Sequence, residues 1–456
     1  MLNLRGLNAQ HKKREIAPEI ARCPRCRTSS PRNEIRSRFF WEPNLLQPTV
    51  VELRVGCYLC PECPQGKRWF TTLPPEFQTN QQYSLRAQEM VVELVRTHKL
   101  SLEAAAEVGR SMLHLDKLHP STVLCWLRDA GNAVDTEERR RALVETFSGQ
   151  MAVDEVYDGG WYQLKATDPL NDVELLWKLG EGSPSKEDIR RFFLELKVIG
   201  FMPKLVVTDG SKLYPEVIED VWPDAKHQRC VFHFIKQINA DLLKAFRAAY
   251  DTMPKPPKRK RGRPKKRGRP RKDKEKRANR RKVRAARYLL LRRESRPGER
   301  ARFTDKERAA LDGAMDLCPP LRILRRFVVQ LHELFGPTTD SHELATTRRQ
   351  TILSDPEFAA TKGLSNALEW LRDDDLFERL TRYLDFDNAD KTSNHVEREN
   401  RELRKRQKGH YRIRSRRSMC ALLDLLTVRK PVPQHPRQLR PRQQPDSETQ
   451  EVLRAA

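Results

Sequence analysis

The chain runs to 456 residues and carries 88 Lys plus Arg against 62 Asp plus Glu, a formal charge of +26. No run approaches the roughly 18 apolar residues of a membrane span, and the basic N-terminal stretch has no apolar segment behind it, which argues against a secretory leader. With membrane and secreted classes set aside, a charge surplus of this size points to a polyanionic partner whose phosphates shed counterions on binding, on a chain long enough for about two to four domains.

Nine cysteines, five of them between Cys23 and Cys63, are too unevenly placed for a disulfide scaffold and read as metal chemistry in a reducing compartment. Cys23-Pro-Arg-Cys26 and Cys57-Tyr-Leu-Cys60 are two thiolate pairs able to grip a tetrahedral Zn2+, with the β-like chain between them supplying a ribbon. Cys60-Pro-Glu-Cys63 is a further pair that shares Cys60, so four of the five cysteines suffice and the choice between Cys57 and Cys63 stays open. The expectation is a zinc ribbon over residues 20–75.

Next, Leu85, Met90, Val91, Leu94 and Val95 recur at helical spacing, followed by Leu102, Ala105 and Ala106, then Val123, Trp126 and Leu127. Residues 101–108 and 120–128 resemble the two helices of a helix-turn-helix, the second of which would read the major groove. Residues 109–119 make a longer connection than the usual turn. A helix-turn-helix DNA-binding domain is therefore expected over residues 83–131.

Strand-like runs then fall at 151–157, 161–167, 173–179 and 204–208. Ser185 should cap a helix that Gly200 stops, and another helix should cover 213–221. Three adjacent strands, a helix, a strand and a helix predict an α/β unit with a mixed sheet over residues 150–250.

Residues 255–282 hold 18 Lys or Arg and 2 acidic residues, a net of +16 and more than half of the whole surplus. Such a block cannot form a core, and residues 254–283 are expected to be disordered. Inside it, Arg261-Gly262-Arg263-Pro264 and Arg267-Gly268-Arg269-Pro270 are tandem AT-hook cores. Glycine lets the chain approach closely, proline keeps it extended, and the arginines can enter a narrow minor groove. A helical stretch is expected over 284–385, a closing helix within 386–428, and an unstructured Pro, Gln and Arg-rich tail over 431–456.

Three acids carry the candidate chemistry. Asp154 interrupts a strand-like run where a lone carboxylate is costly without a metal or partner. Asp209 follows the apolar run 205–208, at the strand end where α/β sites gather. Glu397 lies in Ser393-Asn394-His-Val-Glu397, on a strongly basic helix where Glu399 and Glu402 are rivals.

The order of these elements, the Val-Asp-Glu and Thr-Asp-Gly motifs, Cys230-Val-Phe-His233 and the Ser-Asn-x-x-Glu helix together resemble the RNase H-like DDE transposases of bacterial insertion sequences. The C-x-x-H motif and helical insertion are similar to the mutator-like group; the Cys-rich N-terminus is similar to insertion sequences with a zinc-binding domain. The resemblance covers roughly residues 23–419 outside the basic block.

It implies an RNase H-like catalytic core with an α-helical insertion, preceded by the zinc ribbon and helix-turn-helix. It further implies that Asp154, Asp209 and Glu397 hold two Mg2+ (or Mn2+) ions beside one structural Zn2+. Water would cleave at the element's terminal inverted repeats, and the freed 3′-hydroxyl would attack target DNA, with no covalent enzyme intermediate. The implied partners are double-stranded DNA and a second copy of the chain that pairs the ends, in a bacterial cytoplasm at the nucleoid. Cys230 and His233 are expected to pack beside the site, and Asn394 either to orient Glu397 or to cap its helix. Arg398, Arg401, Arg404 and Lys405 would meet phosphates. A non-catalytic DNA-binding descendant would tolerate loss of the acids, and all three are present.

Overall fold

The computed structural model describes residues 9–64, 66, 68–78, 81–158, 160–255, 271–295, 299, 301–409, 413 and 415–442. Both AT-hook copies lie outside the described residues. The chain divides into two units, one of Met1–Arg139 with Glu399–Pro431 and the other of Arg140–Arg398 with Val432–Ala456.

In the first unit, β1 (Gln10–Ile16), β2 (Ile20–Arg22), β3 (Ser29–Glu42), β4 (Thr49–Leu59) and β5 (Trp69–Thr71) form one sheet of order β1-β4-β3-β2, with β5 also on β4. Side chains alternate between its faces. Trp41 and Val50, opposite each other on β3 and β4, join a core built by α1 (Leu85–Arg96), α2 (Leu102–Ser111) and α3 (Pro120–Asn132). Phe40, Val51, Leu53 and Val55 point the other way and pack with Phe77.

Ser84 and Ser101 cap α1 and α2 by accepting from backbone N–H groups that lack helical partners. The long connection between α2 and α3 is a packed loop, with Leu113, Leu115 and Leu118 buried in the helical core. α4 (Thr136–Thr146) leads out of it.

The second unit opens with β6 (Gln150–Asp158), β7 (Trp161–Asp168) and β8 (Val173–Glu181) as an antiparallel meander. After α5 (Lys186–Ile199), β9 (Leu205–Thr208) returns parallel to β6. α6 (Pro215–Val221) then leads to β10 (Lys226–Arg229), parallel to β9, and to α7 (Val231–Thr252). The sheet order is β10-β9-β6-β7-β8, a mixed sheet as expected.

Ser185 and Asp188 form a reciprocal capping box at the start of α5, and Gly200 ends it at φ +117°, a left-handed conformation that a Cβ disfavours. β10 was not foreseen, because Lys-His-Gln-Arg has no apolar pattern. It is held from inside by the buried Gln228, whose amide donates to the Leu380 carbonyl at 3.0 Å and accepts from the Tyr383 N–H at 2.8 Å.

α8 (Arg271–Ala285), α9 (Asp305–Leu317), α10 (Pro320–Leu334), α11 (His342–Ser354), α12 (Pro356–Ala360), α13 (Ser365–Arg372) and α14 (Asp374–Thr381) share one apolar core with α7. α8 corrects the expectation of disorder for the second half of the basic block. Val283 is fully buried in that core, and Arg280 lies 4.0 Å over the Tyr250 ring while donating to the Tyr250 and Met253 carbonyls. One anchored face thus outweighs the charge of the others.

The closing segment is two helices, α15 (Asn394–Gly409) and α16 (Arg416–Thr427), and α16 groups with the first unit. The expected tail also needs correcting over its first part: Leu439 is buried, its N–H donates to Ser148, and Pro441 bridges Phe386 in an antiparallel pairing. Backbone pairing of this kind leaves no hydrophobic period to read. Residues 443–456 lie outside the described residues. Among those described, no helix is long and apolar enough to cross a membrane.

α3 meets α16 at Gly131, where a Cβ would sit 2.4 Å from the Ala421 carbonyl oxygen. Both partners there are backbone, so neither yields without moving a helix. Gly131→Ala is expected to lower stability by about 1–3 kcal/mol, the usual cost of overpacking, even though alanine favours helix. Urea unfolding of the two proteins measures it.

Candidate active site

β6 and β9 pair in register through Ala152 and Val207; two residues further on, Asp154 lies within β6 and Asp209 lies one residue past the end of β9. Alternation also settles their face. Met151, Val153 and Val206 enter the core shared with α5 and α6, whereas Ala152 and Val207 meet Cys230 and Val396 on the other side. The two aspartates share that second face, and Val396 brings Glu397 to it on α15.

The approach to α15 is tied to the sheet. Gln150 donates to the Asp390 carbonyl at 2.6 Å and accepts from its N–H at 3.0 Å, the Val231 N–H donates to Lys391, and the Ser393 N–H donates to the Cys230 sulfur at 3.3 Å. Glu397 Oε1 ends 3.2 Å from His233 Nε2, out of line for a hydrogen bond, and is buried with no donor. Its rivals are engaged elsewhere. Glu399 pairs with Arg429 and Lys430, and Glu402 pairs with Lys99.

Cys230 packs with Ala152, Val207 and Val396, and His233 stands beside Glu397. Cys230 is lowered below its usual range because contact with His233 and the Ser393 N–H outweighs its burial. His233 is raised, first by the Cys230 sulfur and further by the charges of Glu397 and Asp209, against its burial. Asn394 opens α15 with its side chain exposed.

Glu155 and Arg229 were missed by sequence reading. Burial, with added repulsion from Asp209 and Asp154, pushes the Glu155 carboxyl up to about 7 although Tyr214 donates to it. Arg229 is lowered by burial while Asp209 pulls it back. Glu155 stood in plain view beside Asp154, but no pattern announced its burial; Arg229 lies on the unforeseen β10.

Crowded carboxylates and an orphaned buried carboxylate oxygen are what a hard divalent cation relieves, so the residues fit Mg2+ or Mn2+. Among the described residues, the group whose ligand atoms come close enough together to hold a metal ion is Cys23, Cys26, Cys60 and Cys63, whose sulfur atoms all lie within 4.8 Å of one another. That cluster answers the open choice in favour of Cys63. Cys57 lies within β4, opposite Glu34 and Thr71, and is not part of it. Cys26 is lowered to about 6, chiefly by Thr28, while burial pushes Cys63 up to about 12. Arg398, Arg401, Arg404 and Lys405 are all exposed on α15.

A family model described as Transposase, the ISL3 type of DDE transposase, matches residues 151–409. The chain belongs to this transposase family. Its match runs from the second residue of β6 through α15 and so includes Asp154, Asp209 and Glu397 of the transposase. No curated protein matches. Among solved structures, the Drosophila P element transposase strand transfer complex is similar over 78% of this chain and 94% of that chain, at 10% identity and a TM-score of 0.36.

Proposed function

We propose that this transposase binds the terminal inverted repeats of an insertion sequence and both cleaves and joins DNA at Asp154, Asp209 and Glu397. What supports the reading is that Ala152 and Val207, each two residues before an aspartate, share one face of the sheet with Cys230 and with Val396, the neighbour of Glu397. A meander followed by two parallel strands on its first edge is also the order of an RNase H-like core.

Asp154, Asp209 and Glu397 would hold the divalent ions, and His233 would keep the Glu397 carboxylate turned toward them. When bound, a metal pair stabilises the attacking and leaving oxygens of an in-line displacement. Hydrolysis at the element's end frees a 3′-hydroxyl, and that hydroxyl then joins to target DNA. The exposed arginines of α15 and the AT-hooks supply backbone affinity, α2 and α3 act as the end-reading helix-turn-helix, and the four cysteines hold one zinc. Pairing two ends calls for more than one copy.

A labelled oligonucleotide ending in a pre-cleaved repeat, incubated with the protein, Mg2+ and a target plasmid, tests the joining step. Labelled plasmid is expected. Nicks without joined product would make the chain a nuclease instead.

The salt dependence of duplex binding reports the basic segment. Residues 256–270 contain nine Lys or Arg, and at roughly 0.9 per phosphate engaging half of them contributes a slope of about 4. Removing those residues alone, which spares α8, is expected to flatten the log–log plot of affinity against salt by that amount. An unchanged slope would make the hooks spectators.

A further inference from the structure

The face of the N-terminal sheet opposite the helices is only half covered. At one end Phe40, Val51, Leu53 and Val55 are closed over by Phe77 and Leu73. On β3 of the same face Arg38 and Arg36 stand directly across from Leu53 and Val55, and beyond Val55 the face continues to Leu59 with Trp69 across from it. Here it opens into a groove of about 830 Å³, lined by Arg36, Arg38, Trp69 and Phe70, by Arg25 from the cysteine loop, and by Phe77. That volume is within the roughly 300–1,000 Å³ of ligand sites.

Trp69 is 52% exposed and Leu59, across from it on β4, 41% exposed, so the indole is open to a stacking partner. Arg25 and Arg36 are exposed beside them, with Glu34 paired to Arg36. Three guanidinium groups around an open indole match a strand of nucleic acid: the cations track phosphates while the ring stacks on a base. A duplex would satisfy the arginines but not the indole, since its base faces are already stacked on one another.

We infer that this groove holds an unpaired stretch of DNA, with one base stacked on Trp69 and its phosphates on Arg25, Arg36 and Arg38. The inference rests on the reading of the chain as a DNA-joining transposase.

Fluorescence anisotropy of the full chain with labelled oligothymidylate and with a duplex of equal length tests it, in enough salt to suppress purely ionic binding. Trp69→Ala is expected to weaken oligothymidylate about tenfold or more while duplex affinity stays within about twofold. Trp69→Phe should restore most of the loss, which a folding defect would not allow. Arg38→Gln gives a second, independent loss on the single strand.

Oligonucleotides carrying 5-iodouracil should photocross-link at Trp69, and unpaired DNA but not duplex should compete. Equal losses on both DNA forms would overturn the inference in favour of a duplex backbone site, and no loss on either would leave the groove without this ligand. If the unsubstituted chain bound duplex but the variants changed nothing, the inference alone would fall. If it bound neither DNA, the transposase reading would fall with it.

Discussion

Asp209→Asn is expected to lower strand cleavage about a thousandfold or more while leaving duplex affinity within about twofold of the unsubstituted chain. Asp154 lies in β6 and Asp209 just past the end of the paired β9, Glu155 is driven up to about 7 by burial and further by their charges, and Glu397 offers a buried oxygen with no donor. Removing one charge from this set removes a ligand for a divalent ion, and a thousandfold corresponds to about 4 kcal/mol of lost transition-state stabilisation. Asn keeps the shape of the side chain, so the strand end and DNA affinity should survive.

Glu397→Gln should behave alike. Glu402→Gln, five residues further along α15 but engaged with Lys99, should retain cleavage. Rates from single-turnover assays on a labelled repeat, set beside gel-shift affinities, separate chemistry from binding. A parallel loss of binding in Asp209→Asn would contradict the assignment.

The second large effect concerns the cysteines. One zinc per chain is expected, lost in Cys60→Ser and kept in Cys57→Ser. Cys60 lies in the four-sulfur group, 3.4 Å from Cys26, whereas Cys57 points into the groove beside Arg36 and is merely buried. Structural zinc is worth roughly 10–16 kcal/mol in small domains, comparable with the whole stability of a typical domain. The N-terminal sheet should therefore unfold in Cys60→Ser and on chelation. Metal analysis with circular dichroism decides between the two variants, and zinc loss in Cys57→Ser would place the site on the wrong pair.

The two cysteine spacings are alike as text, which is why sequence reading stopped short here. Pairing decides it: β4 carries Cys57 inside the sheet, whereas Cys60 and Cys63 lie past the strand's end, where the chain can turn back on Cys23 and Cys26. Asp154 and Asp209 were legible for the opposite reason. Asp154 is a charge inside a strand-like run and Asp209 one at the end of an apolar run, but it takes the register of β6 on β9 to put their strand neighbours Ala152 and Val207 on one face.

Glu397 was legible only as one of three glutamates, and the contacts of α15 separate it from the others. β10, α8 and the segment around Leu439 escaped notice because polar anchors hold them. Gln228, Arg280 and the backbone of 439–441 leave no periodic apolar signal.

The central claim is that the three acids cut and join DNA, and a supercoiled plasmid carrying the gene with its native flanks tests it most directly. Incubated with the purified protein and Mg2+ or Mn2+, it should be broken at defined flanking positions by the unsubstituted chain and left intact by Asp154→Ala. Breaks at the same positions and rate from Asp154→Ala, with matched zinc content showing both proteins folded, would contradict the account.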